Sequence, residues 1–217
     1  SQLGNVMPFY DRSVDMLVIS NPDKDHMGGF IDALRSYKID AVLEPGTIPE
    51  TAVYRELESE ITREGAKKVL ARRGMKIWLD KKYGVYLEVL FPDRDVSKLT
   101  TNEGSIVARL VYGATSFMFP GDAPQKIEAY VAELDKSDLR SDVLKVGHHV
   151  SQPSTSPLFL GYVHPEYAVI SAGENNRYGH PHKEVVDRLA TFGVTTFGIY
   201  EEGMVRFESD GVSVFKK

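Results

Sequence analysis

Apolar, strand-like runs alternate with helical patterns along this chain, and the alternation restricts the fold more than any other feature. Strands are predicted at 16–20, 41–44, 76–79, 86–91, 106–112, 116–119, 142–146, 167–171, 195–199, 205–208 and 212–215. Helices are predicted at 28–36, 51–73, 124–134, 156–163 and 183–192. Interleaved strands and helices predict a layered α/β fold with helices covering the sheet faces. No repeat or linker interrupts the 217 residues, so we expect a single domain over 1–217.

Local residue types mark the ends of some of these elements. Thr51 is the expected N-cap of the longest predicted helix, and Gly74 is its expected stop. The last two strands predict a hairpin that turns at Ser209-Asp210-Gly211.

Polar clusters lie next to several predicted strands. The densest is Asn21-Pro22-Asp23-Lys24-Asp25-His26-Met27-Gly28-Gly29, directly after the first apolar run. Further clusters occupy 101–105, 119–122, 145–151 and 175–182, and together the five hold every histidine except His164. Loops at strand ends build the active sites of layered α/β folds. Each cluster alone is compatible with an ordinary turn, but their co-occurrence indicates a metal site built from Asp and His.

Composition narrows the chemistry of that site. The chain has no cysteine, which excludes Cys-based zinc sites, disulfides and thiol nucleophiles. The net charge of -5 argues against a generally basic nucleic-acid binder. A local basic strip is still compatible, and Lys145, Arg177 and Lys183 lie in or beside the loop clusters. The sequence contains neither a run of bilayer-spanning length nor a signal-peptide pattern.

The order of the motifs resembles the metallo-β-lactamase superfamily and, within it, the hydrolase domain of the ComEC family of competence proteins. The residues that carry the resemblance are 21–29, 102–107, 119–122, 144–151 and 176–181. The resemblance implies an αβ/βα four-layer metallo-β-lactamase sandwich: two sheets face to face, helices outside and metals at the sheet edge. It also implies a metal-dependent hydrolase, most plausibly a phosphodiesterase or nuclease acting on DNA during uptake.

Three departures from the family pattern accompany the resemblance. The family's opening motif, Asp-Val-Gly-Gln-Gly-Asp, and the strand that follows it are not found, so we expect a sandwich without its first strands and with an open sheet edge. Asn21 stands where the family has its first histidine. Val150 stands where the family has glycine, which restricts the backbone after the His pair.

The resemblance also implies a ligand set. One metal position would use Asn21, Asp23 and Asn102, and the other Asp25, His26 and one of the paired histidines, with Asp122 bridging. We expect occupancy to be strongest at Asp25, His26, Asp122 and His148. Because the first set holds oxygen donors and no imidazole, the expected divalent metal is Mn²⁺ ahead of Zn²⁺ or Mg²⁺.

Catalytic roles follow from the same comparison. Asp25 is expected to orient or deprotonate the attacking water, and His149 to contact the phosphate or support the ligands. Ser151 and Asn175 are predicted to contact the phosphate or support the ligands, and His180 or His182 to donate a proton to the leaving group.

The expected partners are DNA and, in a parent protein, a membrane channel, with an extracytoplasmic or membrane-associated location. Two alternatives stay open at this point. One is a small-molecule hydrolase of the lactonase or β-lactamase type. The other is a degenerate domain that binds DNA or protein without catalysis, since the departures fall at ligand positions.

Overall fold

A computed structural model describes residues 2–152, 154–173 and 179–217. Its helices are α1 (Gln2–Val6), α2 (Lys24–Ser36), α3 (Ala52–Glu64), α4 (Gln125–Asp135), α5 (Pro157–Val163), α6 (Lys183–Thr191) and α7 (Ile199–Glu202), with short 3₁₀ turns at Lys136–Leu139 and Gly147–Val150. Its strands are β1 (Ser13–Val18), β2 (Lys38–Glu44), β3 (Lys67–Leu70), β4 (Lys76–Asp80), β5 (Val85–Phe91), β6 (Val107–Tyr112), β7 (Thr115–Phe119), β8 (Val143–Lys145), β9 (Tyr167–Ile170), β10 (Thr195–Gly198), β11 (Phe207–Ser209) and β12 (Val214–Lys216).

Two main sheets and a hairpin organise these strands. The first sheet has three parallel strands in the order β1-β2-β3. The second has seven strands in the order β10-β9-β8-β7-β6-β5-β4, antiparallel from β4 to β7 and parallel from β7 to β10. Strands β11 and β12 form the predicted C-terminal hairpin. Three parallel neighbours, β7, β8 and β9, therefore direct their carboxyl-terminal loops to one edge of the large sheet.

Three hydrophobic clusters hold the layers together. Leu43 of the first sheet packs with Val89, Ile106 and Ala108 on the second, so the two sheets face each other. Helices α2 and α3 cover the outside of the first sheet, where Leu57 is fully buried. Helices α4, α5 and α6 cover the outside of the second sheet. Burial of each such large apolar side chain contributes about 1.5–3 kcal/mol. The layers are those of the predicted αβ/βα sandwich.

Among the described residues β3 and β1 each pair with β2 alone, so β1 forms one edge of the first sheet. Near this edge a largely apolar cavity of about 480 Å³ is lined by Val18, Leu87, Ile106 and Phe119, among others. In the described part of the chain, no helix combines the length and the hydropathy that crossing a bilayer requires.

The predicted helix 51–73 is wrong in its second half. Thr51 caps the helix as expected, its hydroxyl accepting from the Tyr54 N–H at 3.2 Å, but α3 ends at Glu64. Gly65 takes a left-handed φ of 75° and its N–H bonds to the Ile61 carbonyl, which stops the helix nine residues before Gly74. The segment after it is β3, which pairs in parallel with β2. Val69 and Leu70 fit a helical stripe by spacing, but pairing with β2 decides their conformation.

Candidate metal centre

Asp25 and His26 lie in the first turn of α2, which begins directly after the loop that follows β1. Asp23 is the N-cap in an extended conformation, and its carbonyl accepts from the His26 N–H at 3.0 Å. The Asp25 side chain is 64% exposed, whereas that of His26 is 12% exposed. His26 Nε2 lies 3.8 Å from Asp25 Oδ2. The helix start therefore offers one accessible carboxylate and one largely buried imidazole to the same space.

Asp122, which belongs to a loop of the second sheet, contacts His26. It follows β7, and Gly121 before it has a φ of 58°, where an added Cβ would lie 2.9 Å from the Ile106 carbonyl oxygen. Only glycine fits this turn. Asp122 is almost fully buried, and its Oδ2 lies 2.9 Å from His26 Nε2. Burial opposes ionisation of Asp122, but the hydrogen bond from His26 and the nearby positive charges hold its pKa below the usual range.

The paired histidines occupy a strained turn after β8. His148, His149 and Val150 all have positive φ, at 46°, 50° and 67°. Three successive non-glycine residues in this region are rare, and surrounding contacts must hold them there. The His148 N–H bonds to the Gly121 carbonyl at 3.1 Å, and the His182 N–H bonds to the Val150 carbonyl at 3.2 Å. The turn thereby joins the Asp122 loop to the start of α6.

A backbone carbonyl determines the tautomer of His149. Its Nδ1 lies 2.9 Å from the Ser171 carbonyl oxygen, which can only accept, so Nδ1 carries the hydrogen. In the neutral ring Nε2 then presents its lone pair, 3.2 Å from His26 Nε2 and 3.3 Å from Asp25 Oδ2. Holding the second nitrogen in this way is how proteins orient metal-ligating histidines. Ser171 was not singled out by sequence reasoning, although it closes a predicted strand.

The donor set fits a divalent metal ion. Ligand atoms of Asp25, His26 and His149 lie within 4.8 Å of one another. Asp122 Oδ1 and His148 Nδ1 are buried without a hydrogen-bond partner in the part of the chain that the structure describes. Buried polar atoms of this kind need an explanation, and a cation bound beside the carboxylate supplies one. Imidazole and carboxylate are the donors that such ions use when thiolate is absent.

His149 approaches the Asp25–His26 pair more closely than His148 does. The Nε2 atom of His148 lies 4.0 Å from Asp122 Oδ2, and burial lowers the pKa of its imidazole. The ligand role predicted for His148 stays a prediction, and of the two paired histidines His149 lies nearer to Asp25 and His26. The side chain of Lys145, at the end of β8, is also largely enclosed, and burial lowers the pKa of its amine.

An open cavity of about 350 Å³ lies in front of these residues. Its lining consists of Asp23, Asp25, Asn102, Asp122, His148, His149, Ala172, Gly173 and His180. The ring of His180 is nearly parallel to that of His149, with centroids 6.5 Å apart, and burial lowers the pKa of His180. His182 lies next to it, with ring centroids 5.1 Å apart. The cavity thus brings one predicted proton donor, His180, to the ligand cluster.

The predicted oxygen ligands form a hydrogen-bonded group at one side of the cavity. Asn21 is fully buried; its Nδ2 donates to Asn102 Oδ1 at 2.7 Å, and its Oδ1 accepts from the Asp23 N–H at 3.0 Å. The Thr101 hydroxyl donates to Asp23 Oδ2 at 2.9 Å. The structure therefore brings Asn21, Asp23 and Asn102 together, as the motif pattern predicts. Their role as metal ligands stays a prediction.

Two remaining site predictions have different outcomes. The Ser151 N–H bonds to the His148 carbonyl at 2.8 Å and so closes the strained turn, and Ser151 is not among the described residues that line the cavity. Asn175 lies outside the described residues, as does Arg177 of the basic strip. The contacts predicted for Ser151 and Asn175 stay predictions.

The sequence resembles curated competence and recombination proteins over most of its length, while no protein-family model matches it. It is 34% identical over 196 residues to Competence protein ComA of Neisseria gonorrhoeae and 28% identical over 197 residues to ComE operon protein 3 of Bacillus subtilis. It is 29% identical over 204 residues to Recombination protein 2 of Haemophilus influenzae. These alignments cover 90–93% of the chain, which spans about a quarter of the length of each relative.

Solved structures resemble the fold at lower sequence identity. Igni18, a metallo hydrolase from the archaeon Ignicoccus hospitalis, matches with a TM-score of 0.55 and 15% identity over 85% of this chain and 76% of its own. CmlA, a diiron β-hydroxylase from Streptomyces venezuelae, matches with a TM-score of 0.53 and 14% identity over 88% of this chain and 44% of its own. Identities this low establish likeness of fold alone.

Proposed function

The chain is a ComEC-like domain with the metallo-β-lactamase fold, and on that premise we propose that it is a metal-dependent hydrolase that cleaves phosphodiester bonds in DNA. The observation that carries the proposal is the convergence of Asp25, His26, Asp122 and His149 on one point from three separate loops. His26 Nε2 lies 2.9 Å from Asp122 Oδ2 and 3.2 Å from His149 Nε2. Carboxylate and imidazole groups gathered from loops far apart in sequence are typical of a metal or catalytic site.

Asp25, His26, Asp122 and His149 would hold the metal, with His148 beside them. A divalent ion bound there would supply an acidified water, with a pKa lowered from about 15.7 toward 7, and would polarise the phosphoryl oxygen. Mn²⁺, ahead of Zn²⁺ or Mg²⁺, is the ion we propose, because the cavity wall adds the oxygen donors of Asp23 and Asn102.

The remaining catalytic roles belong to different side chains of the site. Asp25 is the exposed carboxylate of the cluster, so it orients the attacking water and accepts its proton. His149 is held in one tautomer by the Ser171 carbonyl, which leaves the Nε2 lone pair for the ion, and the contact with Asp122 fixes the position of the His26 ring. His180 lines the same cavity and donates a hydrogen bond to the leaving oxygen. Ser151 and Asn175 are proposed phosphate contacts.

DNA is the proposed substrate because the curated relatives are named for competence and recombination. The cavity itself carries the carboxylates Asp23, Asp25 and Asp122, and the chain is acidic overall. A polyanion would be repelled from such a surface without bound cations. The proposal therefore couples DNA cleavage to metal loading. An extracytoplasmic setting beside a membrane channel belongs to the same proposal.

Cleavage of plasmid and of single-stranded oligonucleotide with Mn²⁺, Mg²⁺ or Zn²⁺ tests the function. We expect cleavage with Mn²⁺ and a loss of roughly 10²–10⁴-fold in Asp25→Ala, because one residue supplies both a ligand and the base. Asp40→Asn, at an exposed carboxylate on β2, is the matched control and should cut normally. Intact DNA together with hydrolysis of nitrocefin or a lactone would indicate a small-molecule hydrolase. DNA binding without cleavage would indicate the non-catalytic alternative.

A further inference from the structure

One segment of this acidic chain is strongly basic. Residues 67–86 contain seven Lys or Arg and a single acidic residue, Asp80, although the whole chain has a net charge of -5. Two of the seven form ion pairs, Lys68 with carboxylates of β2 and α3, and Arg73 with a carboxylate of α4. The other five form no ion pair with a described residue: Lys67, Arg72, Lys76, Lys81 and Lys82. Their charge is therefore available to a partner outside this chain.

Aromatic rings accompany these charges on β4, which is an edge strand of the second sheet. Ile77 packs between the two sheets, so the alternation along the strand directs Trp78 outward, where it is 47% exposed. Tyr86 lies opposite Trp78 on β5, and the two ring centroids are 5.2 Å apart. Lys76 Nζ lies 4.5 Å from the centre of the Tyr86 ring. The outer face of this strand pair therefore presents rings and positive charge together.

The tip of the β4–β5 hairpin has the same character. Tyr83 is 57% exposed, Lys82 Nζ lies 4.9 Å from the centre of its ring, and Lys81 is exposed beside them. Lysines on an edge strand discourage pairing with a second chain, but exposed aromatic rings do not serve that purpose. Protection of the edge therefore leaves the rings unexplained. The β4 patch is defined as Lys76, Trp78, Lys81, Lys82, Tyr83 and Tyr86.

The β4 patch belongs to the same sheet as the Asp122 loop. Strands β4 to β7 are antiparallel in turn, so β4 begins at the sheet edge where β7 ends. The two strands are three positions apart in the sheet, about 14 Å at a spacing of about 4.8 Å. This exceeds the Debye length of about 10 Å in 0.1 M salt, so the carboxylates of the cavity repel a polyanion on the patch only weakly. About four nucleotides of a stacked strand span the same distance.

We propose that the β4 patch binds single-stranded DNA, with bases stacked on Trp78 and Tyr83 and phosphates held by the surrounding lysines. The inference rests on the proposed function for its substrate and deepens it, because it gives the strand a binding surface outside the acidic cavity. Exposed rings stack with any base, and lysines contact phosphates without sequence preference. The bases of a duplex are already stacked on one another, so exposed rings favour a single strand.

The chain has a single tryptophan, Trp78, whose fluorescence gives a direct test. The probe is an oligothymidine of about 20 nucleotides, longer than the usual single-strand site, added to the full chain in about 0.1 M salt. A chelator is present, so that no metal-dependent cleavage occurs. We expect binding to quench the emission of Trp78, and a duplex of the same length to quench it much less. An unquenched Trp78 with the oligonucleotide bound, or no binding at all, would overturn the proposal.

Fluorescence anisotropy of the labelled oligonucleotide measures the contribution of the ring. Trp78→Ala should bind roughly 5–150-fold more weakly, which is the usual effect of removing one stacking ring. Trp78→Phe should keep most of the affinity, because it keeps a ring at the same position. Phe215→Ala removes an exposed ring from the C-terminal hairpin and is the matched control, with no expected change. Equal affinities for wild type and Trp78→Ala would overturn the stacking role.

Salt dependence tests the lysines separately. Each phosphate contact adds about 0.7 to the slope of log affinity against log salt concentration, so Lys81→Gln/Lys82→Gln should reduce that slope by about 1.4. Lys38→Gln/Lys217→Gln removes the same charge at two exposed lysines elsewhere and should leave the slope almost as it is. Equal reductions in the two double variants would mean that net charge, and not the patch, attracts DNA, which would overturn the proposal.

Two other occupants of the patch would give different results. An anionic lipid surface would shift the Trp78 emission to shorter wavelength with phosphatidylserine–phosphatidylcholine vesicles, while the oligonucleotide would leave it unchanged. A second copy of the chain would give a dimer in sedimentation experiments that Trp78→Ala dissociates, again without a response to DNA. Either result would overturn the proposal.

Binding is measured without metal, so the outcomes separate this inference from the proposed function. Quenching of Trp78 and weaker binding by Trp78→Ala, without metal-dependent cleavage, would keep the patch and remove the nuclease. Metal-dependent cleavage of DNA that never quenches Trp78 would keep the nuclease and remove the patch.

Discussion

At the scale of single residues, the site depends on groups that can only donate or only accept. The Ser171 carbonyl sets the tautomer of His149, and the Asp23 N–H sets the amide of Asn21. Asp122 is the residue on which most of the cluster converges, with His26, His148 and His149 all within 4.0 Å of its Oδ2. Because Asp122 is buried, water could not solvate the groups left unpaired if its charge were removed.

Replacement of this buried carboxylate by an amide gives a direct prediction. Asp122→Asn keeps the shape but removes the charge and one acceptor, so we expect Mn²⁺ affinity to fall by at least about 10-fold. Isothermal titration measures the change. Asp40→Asn makes the same chemical substitution at an exposed position and should leave the affinity as it is. Equal affinities for wild type and Asp122→Asn would show that Asp122 is not part of the metal site.

At the scale of secondary-structure elements, α4 fixes the segment around Thr155 and Ser156, which follows the strained histidine turn. Glu128 of α4 is fully buried, and its carboxylate accepts from the Thr155 N–H at 2.6 Å and the Ser156 N–H at 2.7 Å. Burial raises the pKa of Glu128, while the two N–H groups act in the opposite direction. Arg188 of α6 donates to the Thr155 carbonyl at 2.7 Å. Two helices thus fix the segment that follows His148 and His149.

Because Glu128 fixes this segment, we expect its replacement to lower the stability of the fold and to weaken metal binding at the site. Glu128→Gln puts an NH₂ group against a backbone N–H, so we expect a loss of about 1–3 kcal/mol in the free energy of unfolding. The strained turn should also relax, and Mn²⁺ binding should weaken. Urea denaturation and metal titration measure the two effects. Glu133→Gln, an exposed position on the same helix, is the control and should change neither quantity.

Helix α4 also forms a hydrogen bond with the loop after β5, and the stabilisation from this contact is expected to depend on pH. Arg94 beside Asp93 lowers the pKa of Asp93 to about 2 from 3.8, and Tyr130 of α4 donates to the same carboxylate. A lowered pKa means that the unfolded chain binds the proton more readily. The stabilisation is therefore present above about pH 3.8 and is lost as pH falls toward 2. Asp93→Asn should flatten this part of the acid-unfolding curve, measured by circular dichroism.

At the scale of the whole molecule, the sandwich brings the first sheet's β1 loop against the β7, β8 and β9 loops of the second sheet. His26 and Asp122 are 96 residues apart in sequence, and His26 and His149 are 123 apart. Both layers must be folded for the cluster to exist. A ligand held by both sheets binds the folded state and not the unfolded chain.

Metal should therefore stabilise the whole fold. At a free Mn²⁺ concentration 100 times the dissociation constant, binding adds about 2.7 kcal/mol to the free energy of unfolding, and a chelator reverses the gain. For a chain of this size that raises the melting temperature by several degrees. Differential scanning calorimetry with and without chelator measures it. Asp25→Ala should show almost no metal-dependent shift; a shift as large as in the wild type would place the ion elsewhere.

Much of the architecture could be predicted from local patterns, but some boundaries could not. The alternation of elements predicts a layered α/β fold, and local residue types predict the Thr51 cap and the C-terminal hairpin, all of which the structure confirms. The arrangement as an αβ/βα sandwich was implied by the family resemblance. The end of α3 was missed because Val69 and Leu70 satisfy helical spacing, while their conformation depends on β2, a partner outside the segment. In the site, the family resemblance assigns Asp25, His26, Asp122 and one of the paired histidines to one metal position. The structure brings these side chains together, and their role as ligands stays a prediction.

The sequence by itself determined which chemistry is available: residue types and their placement at strand ends limit the site to carboxylate, amide and imidazole groups. The tertiary structure alone decided how those groups are used. In the folded chain, the Ser171 carbonyl, 22 residues away in sequence, orients the His149 ring beside Asp25. Asn21 pairs with Asn102, which is 81 residues away in sequence. Hydrogen-bond direction depends on the partner that an atom meets in space. That partner lies beyond the reach of any local sequence pattern.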